Sequence, residues 1–290
     1  MSAGSAGSRG GATGAARRHR RALGQHFLVD PGVAGRIVEA AGATASDLVC
    51  EIGAGPGALT RALAERAGRL IALEIEPGLQ ARLRAAAQHW PEADRVEIRL
   101  ADARRFAYAD LRALCPAPEG RVLVVGNLPY SASKAILDRL LGAREALDAA
   151  VLMLQREVAE RLAAAPGGRE YGALSVFWQR WAVVTRLLVV PPAAFRPPPA
   201  VESAVIRATF ERVPRVLVAD EAAFARVVRA AFGQRRKTLG NALRGGGLGS
   251  ARRLAAVLDA AAIDGRRRAE TLSLEEFARL ADAHARVTPG

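Results

Sequence analysis

Cysteine is nearly absent: only Cys50 and Cys115 occur in 290 residues. A disulfide-built scaffold and a multi-cysteine zinc module are both excluded. No apolar run reaches the roughly 18–20 residues needed to span a bilayer, so no membrane partner is expected. Acidic residues do not occur before Asp30. Lysine is scarce as well, with Lys134 and Lys237 the only two among 42 basic residues.

Half of the residues are hydrophobic and 24% are charged, a composition that packs a globular core. The length suits two domains of unequal size. Basic residues outnumber the 29 acidic ones and leave a net charge of +13. GC-rich codon usage accounts for arginine in place of lysine, but not for the excess of base over acid. A polyanionic partner, nucleic acid foremost, is therefore expected.

Residues 1–22 are dominated by Gly, Ala and Ser, with Arg17, Arg18, Arg20 and Arg21 clustered near the end. Without an apolar core this is not a secretory signal, and its glycines oppose the amphipathic helix of a transit peptide. It reads as a disordered basic arm, either a solvated tail or a phosphate-binding element. From residue 30 strands and helices alternate. A helix starts at Asp30-Pro31 and stops at Gly42; strands are expected at 47–53, 69–74, 95–102, 121–127 and 149–155, with helices at 58–67, 77–88 and 131–141. Continuous apolar strands between helices mean a parallel sheet covered on both faces. Residues 171–210 are richer in β-branched side chains and read as an antiparallel addition. Beyond Glu211, helical apolar spacing at 221–232, 250–262 and 273–286 marks a small helical domain.

The chemistry gathers where strands end. EIGAGPGALT (51–60) joins a strand to a helix, and its glycines let a ligand approach the backbone and unpaired helix amides. Glu74 ends the next strand, at the distance where a carboxylate takes ribose hydroxyls. Asp102 follows the third strand, placed to accept from an adenine amine, which favours S-adenosylmethionine over a nicotinamide dinucleotide. Asn127, Leu128, Pro129 and Tyr130 follow the fourth. An exocyclic adenine amine is a poor nucleophile because its lone pair is delocalised into the ring. It needs acceptors that hold its N–H groups and turn the lone pair toward a methyl donor. The Asn127 side-chain oxygen and the Leu128 carbonyl suit that role, Pro129 restricts the backbone, and Tyr130 offers a stacking surface. No metal is required, because the sulfonium is already activated.

These motifs, in this order, resemble those of the rRNA adenine dimethyltransferase family, which includes the KsgA and Erm enzymes and a mitochondrial branch. The resemblance spans roughly residues 20–287. It is carried by LGQHFLVD (23–30), EIGAGPGALT, ALEIEP (72–77), AD (101–102), GNLPYS (126–131) and LMLQREVAERL (152–162). It continues through YGALSV (171–176), VPPAAFRPPPAVESAV (190–205), FGQRRKTLGNAL (232–243) and AETLSLEEFARLA (269–281).

The resemblance implies a Rossmann-like class I methyltransferase domain over 23–211 and an all-helical, rRNA-binding C-terminal domain over 212–290. It implies that S-adenosylmethionine is held by His26, Leu28, Gly53, Glu74, Asp102 and Asn127. At His26 the family usually has Asn, so a backbone contact carries over more directly than a side-chain one. Phe195 would face Tyr130 across the flipped adenine; the competing reading is a hydrophobic staple beside prolines. Arg235, Arg236 and Lys237 resemble the KsgA pattern and not the Erm one, which implies contact with rRNA phosphates. The expected activity is dimethylation of two adjacent adenosines near the 3′ end of 16S rRNA, in the 30S precursor, by a monomeric cytoplasmic enzyme. The alternatives are an Erm-type 23S rRNA methyltransferase giving macrolide resistance and a non-catalytic RNA-binding assembly factor.

Overall fold

In the computed structural model, the first helix, α1 (Pro31–Ala41), shows how local signals set the boundaries. The Asp30 carboxylate accepts from the Gly32 and Val33 amides at 2.9 and 3.1 Å, Pro31 occupies the first turn, and Gly42 closes the helix at φ 59°. The structure describes residues 26–287. The basic arm expected over residues 1–22 lies outside the described residues.

Five strands run parallel: β2 (Leu48–Ile52), β3 (Arg69–Glu74), β4 (Val96–Leu100), β5 (Val122–Asn127) and β6 (Ala149–Gln155). Two more, β7 (Ala182–Val190) and β9 (Ser203–Phe210), add antiparallel, giving the order β4-β3-β2-β5-β6-β9-β7. A short separate ribbon pairs β1 (Phe27–Leu28) with β8 (Phe195–Arg196). Strand alternation divides the core between the two sheet faces. Leu48, Cys50 and Ile52 join Val122, Val124 and the inner residues Ile136, Leu137 and Leu140 of α4 (Ser133–Gly142) on one side. Val49, Leu70, Leu123 and Val125 meet α1 and Leu63 of α2 (Thr60–Arg66) on the other. Of these, β2, β3, β5 and β6 are buried on both faces, which is why they read as continuous apolar runs.

The chain leaves β2 toward β3 and β4, then returns to lay β5 on the other side of β2. That reversal opens a crevice at the C-terminal ends of β2 and β5. The two strands approach closely there: a Cβ on Gly126 would lie 2.6 Å from the Ile52 carbonyl oxygen. Helix α3 (Pro77–Ala87) follows β3, while α5 (Arg156–Ala163) and α6 (Ala173–Gln179) follow β6.

The C-terminal part comprises α7 (Glu221–Gly233), α8 (Leu239–Gly245), α9 (Ala251–Ala260) and α10 (Leu274–Val287). Phe224, Val227, Leu254, Val257, Phe277 and Leu280 form its core, which also takes in Tyr171 and Val176 from the α6 region. Arg180, itself buried, fixes the seam. Its Nε donates to the Val216 carbonyl at 3.1 Å, and its two terminal nitrogens pair with the Glu221 carboxylate. Its guanidinium also lies 4.9 Å from the Phe224 ring centroid. Among the described residues no helix is long and apolar enough to cross a membrane.

Candidate active site

The ends of β2, β3 and β5 and the segment after β4 line one crevice of about 860 Å³, its open mouth included. His26, Gly53, Glu74, Asp102, Asn127, Leu128, Pro129 and Tyr130 all border it. Gly53 adopts φ 71°, a conformation L side chains rarely take, and this turns the chain from β2 into the loop before α2.

Glu74 is buried and does more than face a ligand. Its Oε2 accepts from the Gly55 amide at 2.7 Å, and its Oε1 from the Ile75 and Glu76 amides at 2.9 and 2.8 Å. A carboxylate has roughly four acceptor positions. Three are spent on the loops themselves, which leaves about one for a ligand, where the sequence reading expected both ribose hydroxyls to be taken. Beneath the same loop Glu51 is fully enclosed, and its Oε2 has no hydrogen-bond partner. Burial, reinforced by the nearby Glu74 carboxylate, pushes the Glu51 carboxyl up to about 7.

Asp102 stands at the crevice but is already engaged. The Arg104 guanidinium lies across its carboxylate with contacts of 2.7–3.1 Å, and the Arg104 amide donates at 2.9 Å. These hydrogen bonds hold its carboxyl below the usual range. An adenine amine at Asp102 would share this carboxylate with Arg104, a residue the sequence did not single out.

The Asn127 amide has a fixed sense. Its Nδ2 donates to the His26 carbonyl at 2.8 Å, so its Oδ1 remains as an acceptor. The His26 side chain turns to the Pro197 carbonyl, to which Nδ1 donates at 2.8 Å, and packs on the Tyr130 ring. Tyr130 meets Ser203 through their hydroxyls at 2.6 Å, and burial raises its phenol above the ordinary value. Phe27 and Ile75 also border the crevice, Phe27 coming within 3.1 Å of where a Gly55 Cβ would stand. Both were missed. Ile75 is a partly exposed branched apolar residue directly after the acid, and its position was the available signal; Ser203 gave none, since its partner lies 73 positions away.

Two of the expected site residues are buried. Phe195 is fully buried in the core with Leu28, Val190 and Val205, and is absent from the crevice lining. Its place in the core is the one a hydrophobic staple would take. Leu28 is likewise a core residue, paired with Phe195 across the β1–β8 ribbon, and does not border the crevice. Arg235, Arg236 and Lys237 lie in the helical part, exposed after α7. Arg235 is partly committed, its Nη2 donating to the Arg169 and Tyr171 carbonyls at 2.6 and 3.2 Å.

A reversing parallel sheet, a glycine turn after its central strand and acids after the next two strands define a methyltransferase of the Rossmann type. The family model described as "Ribosomal RNA adenine dimethylase" matches residues 16–285, and the chain belongs to that family. The chain is 46% identical over 268 residues to the "Ribosomal RNA small subunit methyltransferase A" of Geobacter metallireducens, covering 92% of this chain and 95% of that protein. The protein of the same name from Anaeromyxobacter sp. is 47% identical, covering 91% and 92%. Among solved structures, the 23S rRNA methyltransferase ErmE is similar with a TM-score of 0.67 and 27% identity, covering 89% of this chain and 98% of that one. A dimethyladenosine transferase from Plasmodium falciparum shares the fold, with a TM-score of 0.73 at 24% identity, covering 88% and 96%.

Proposed function

We infer that this chain is an S-adenosylmethionine-dependent rRNA adenine N6,N6-dimethyltransferase acting on two adjacent adenosines near the 3′ end of 16S rRNA. The observation that carries the reading is the orientation of Asn127. With Nδ2 tied to the His26 carbonyl, the amide presents an acceptor to a crevice that also holds the Glu74 and Asp102 carboxylates.

The crevice fits a nucleoside-bearing cofactor. Glu74 keeps one acceptor position for a ribose, Asp102 can accept from an adenine amine, and Ile75 offers an apolar wall beside them. His26 would contribute through its backbone, because its ring is engaged by Pro197 and Tyr130. When bound, S-adenosylmethionine supplies a methyl group already activated by its positive sulfur. Asn127 Oδ1 and the Leu128 carbonyl accept the N6–H groups of the target and direct its lone pair, while Tyr130 stacks on the base. The base must leave the RNA stack to reach them.

Identity of 46–47% over more than nine-tenths of proteins named for the small subunit supports that subunit over the large one, against 27% for ErmE. In this reading residues 23–211 carry the chemistry, and residues 212–290 position a 30S precursor through Arg236 and Lys237, with Arg235 bracing the junction. The enzyme works as a cytoplasmic monomer. Purified protein should transfer labelled methyl groups to unmodified 30S particles and not to 50S precursors. Transfer confined to 50S material would replace this reading with an Erm-type one, and transfer to neither would favour a non-catalytic assembly factor.

A further inference from the structure

Three contacts fix Tyr130, a partly exposed aromatic of the crevice. Its hydroxyl lies 2.6 Å from the hydroxyl of Ser203, a fully buried residue that pairs with Gln155 across β6 and β9. Its ring packs on the His26 imidazole, with centroids 5.5 Å apart and planes tilted by 35°. Its backbone carbonyl accepts from Ser133 Oγ at 3.0 Å. His26 is anchored in turn, by the Pro197 carbonyl at Nδ1 and by Asn127 at its own carbonyl.

No base can enter between His26 and Tyr130. Sandwiching an adenine between two rings needs a centroid separation of ~7 Å, twice the ~3.5 Å contact distance between carbon atoms. Only 5.5 Å is present. Tyr130 borders the crevice, so a stacked base would have to use the face away from His26. A tyrosine held at both its ring and its hydroxyl has lost rotamer freedom before the ligand arrives, so less ordering remains for the binding step.

We propose that Ser203 and His26 are positioning residues acting through Tyr130, locking its ring so that the target adenine stacks on the face away from His26. The proposal rests on the adenine-methylating reading of the crevice. It assigns a function to a serine hidden in the sheet and to a histidine whose ring is held by the Pro197 carbonyl.

The chain contains three tyrosines, so 3-fluorotyrosine labelling gives a simple fluorine NMR spectrum in which Tyr130 is assigned by its loss in Tyr130→Phe. Ser203→Ala removes one hydroxyl and leaves the partly exposed phenol free to bond water, so the fold survives. Ser203→Ala and His26→Asn should each move the Tyr130 resonance while Tyr108 and Tyr171 stay in place. Each should also lower kcat on under-methylated 30S particles by ~3–10-fold, the scale of one broken hydrogen bond, with cofactor affinity unchanged in Ser203→Ala. Ser203→Ala should add nothing to Tyr130→Phe, because both remove the same interaction. An unmoved Tyr130 resonance, or a moved one with parental kcat, overturns the proposal. A parent protein that methylates no rRNA overturns the activity reading as well, so the two failures are told apart.

Discussion

The crevice and the Arg235–Lys237 segment divide the proposed task, and they are built in contrasting ways. In the crevice each polar group is held by a named partner: Glu74 by three backbone amides, Asp102 by Arg104, Asn127 by the His26 carbonyl, Tyr130 by Ser203. In the helical part Arg236 and Lys237 are exposed and pair with no acid among the described residues. Methyl transfer requires atoms placed within fractions of an ångström, so its groups must be preorganised. Attraction to phosphates works over a screening length of ~10 Å and tolerates mobile side chains. Basic residues in one cluster can therefore do different work, as Arg235 does by bracing the 165–171 loop.

The sharpest break in this comparison comes from Asn127→Ala. Removing a preorganised acceptor should lower kcat for methyl incorporation by ~10²–10³, the loss typical of a missing oxyanion-type donor, while RNA affinity stays near parental. Near-normal turnover would mean that the crevice does not work through a placed acceptor.

Glu74→Gln tests the dual role of that carboxylate. A glutamine must point an NH2 group at one of the amide donors that Glu74 now accepts from. The loss of charge-assisted hydrogen bonds should cost about 1.5–3 kcal/mol, a cofactor affinity weaker by ~10–100-fold in calorimetry. Unchanged affinity would place the cofactor elsewhere.

Glu51→Gln probes the buried end of β2 through pH. The Glu51 carboxyl is raised from 4.5 to about 7 in the folded protein, so folding favours its protonated form. The parent therefore gives up stability as pH rises through this window, and the neutral variant does not. In urea unfolding the variant should be more stable than the parent above pH 7, by on the order of 1–3 kcal/mol, and the difference should vanish below pH 4.5. Equal stability at both ends would show a carboxyl that is not held neutral.

The smallest effect is expected in the basic segment. Replacing Arg236 and Lys237 by Gln should reduce the slope of log K against log salt for 30S binding by up to ~2 units, ~0.9 for each phosphate no longer neutralised, with cofactor affinity intact. Arg235→Gln should change that slope less and lower the unfolding midpoint more. The reverse ranking would make Arg235 the RNA-binding residue.

The inner strands of the parallel sheet were legible because burial on both faces leaves nearly continuous apolar runs: 69–74 and 149–155 match β3 and β6 to the residue. The crevice was legible for the same reason that it functions, since strand ends and glycine turns impose fixed spacings. What stayed hidden depended on distant partners or short elements. Helix α6, ALSVFWQ, has seven residues, too few to display a helical period, and its β-branched surroundings suggested strand. Helix α8 is equally short, and three of its seven residues are glycine or asparagine. Phe195 and Leu28 sit in motifs that suggest a site, yet their pairing across the β1–β8 ribbon turns both into the core. The Tyr130–Ser203 hydrogen bond joins residues with no local relation.

The central claim is tested most directly in rRNA from a strain that lacks this gene, mapped by mass spectrometry in both subunits. Two adjacent dimethyladenosines near the 3′ end of 16S rRNA should be lost, restored by the parent gene and not by Asn127→Ala. Intact 16S dimethyladenosines, or a loss confined to 23S rRNA, would contradict it.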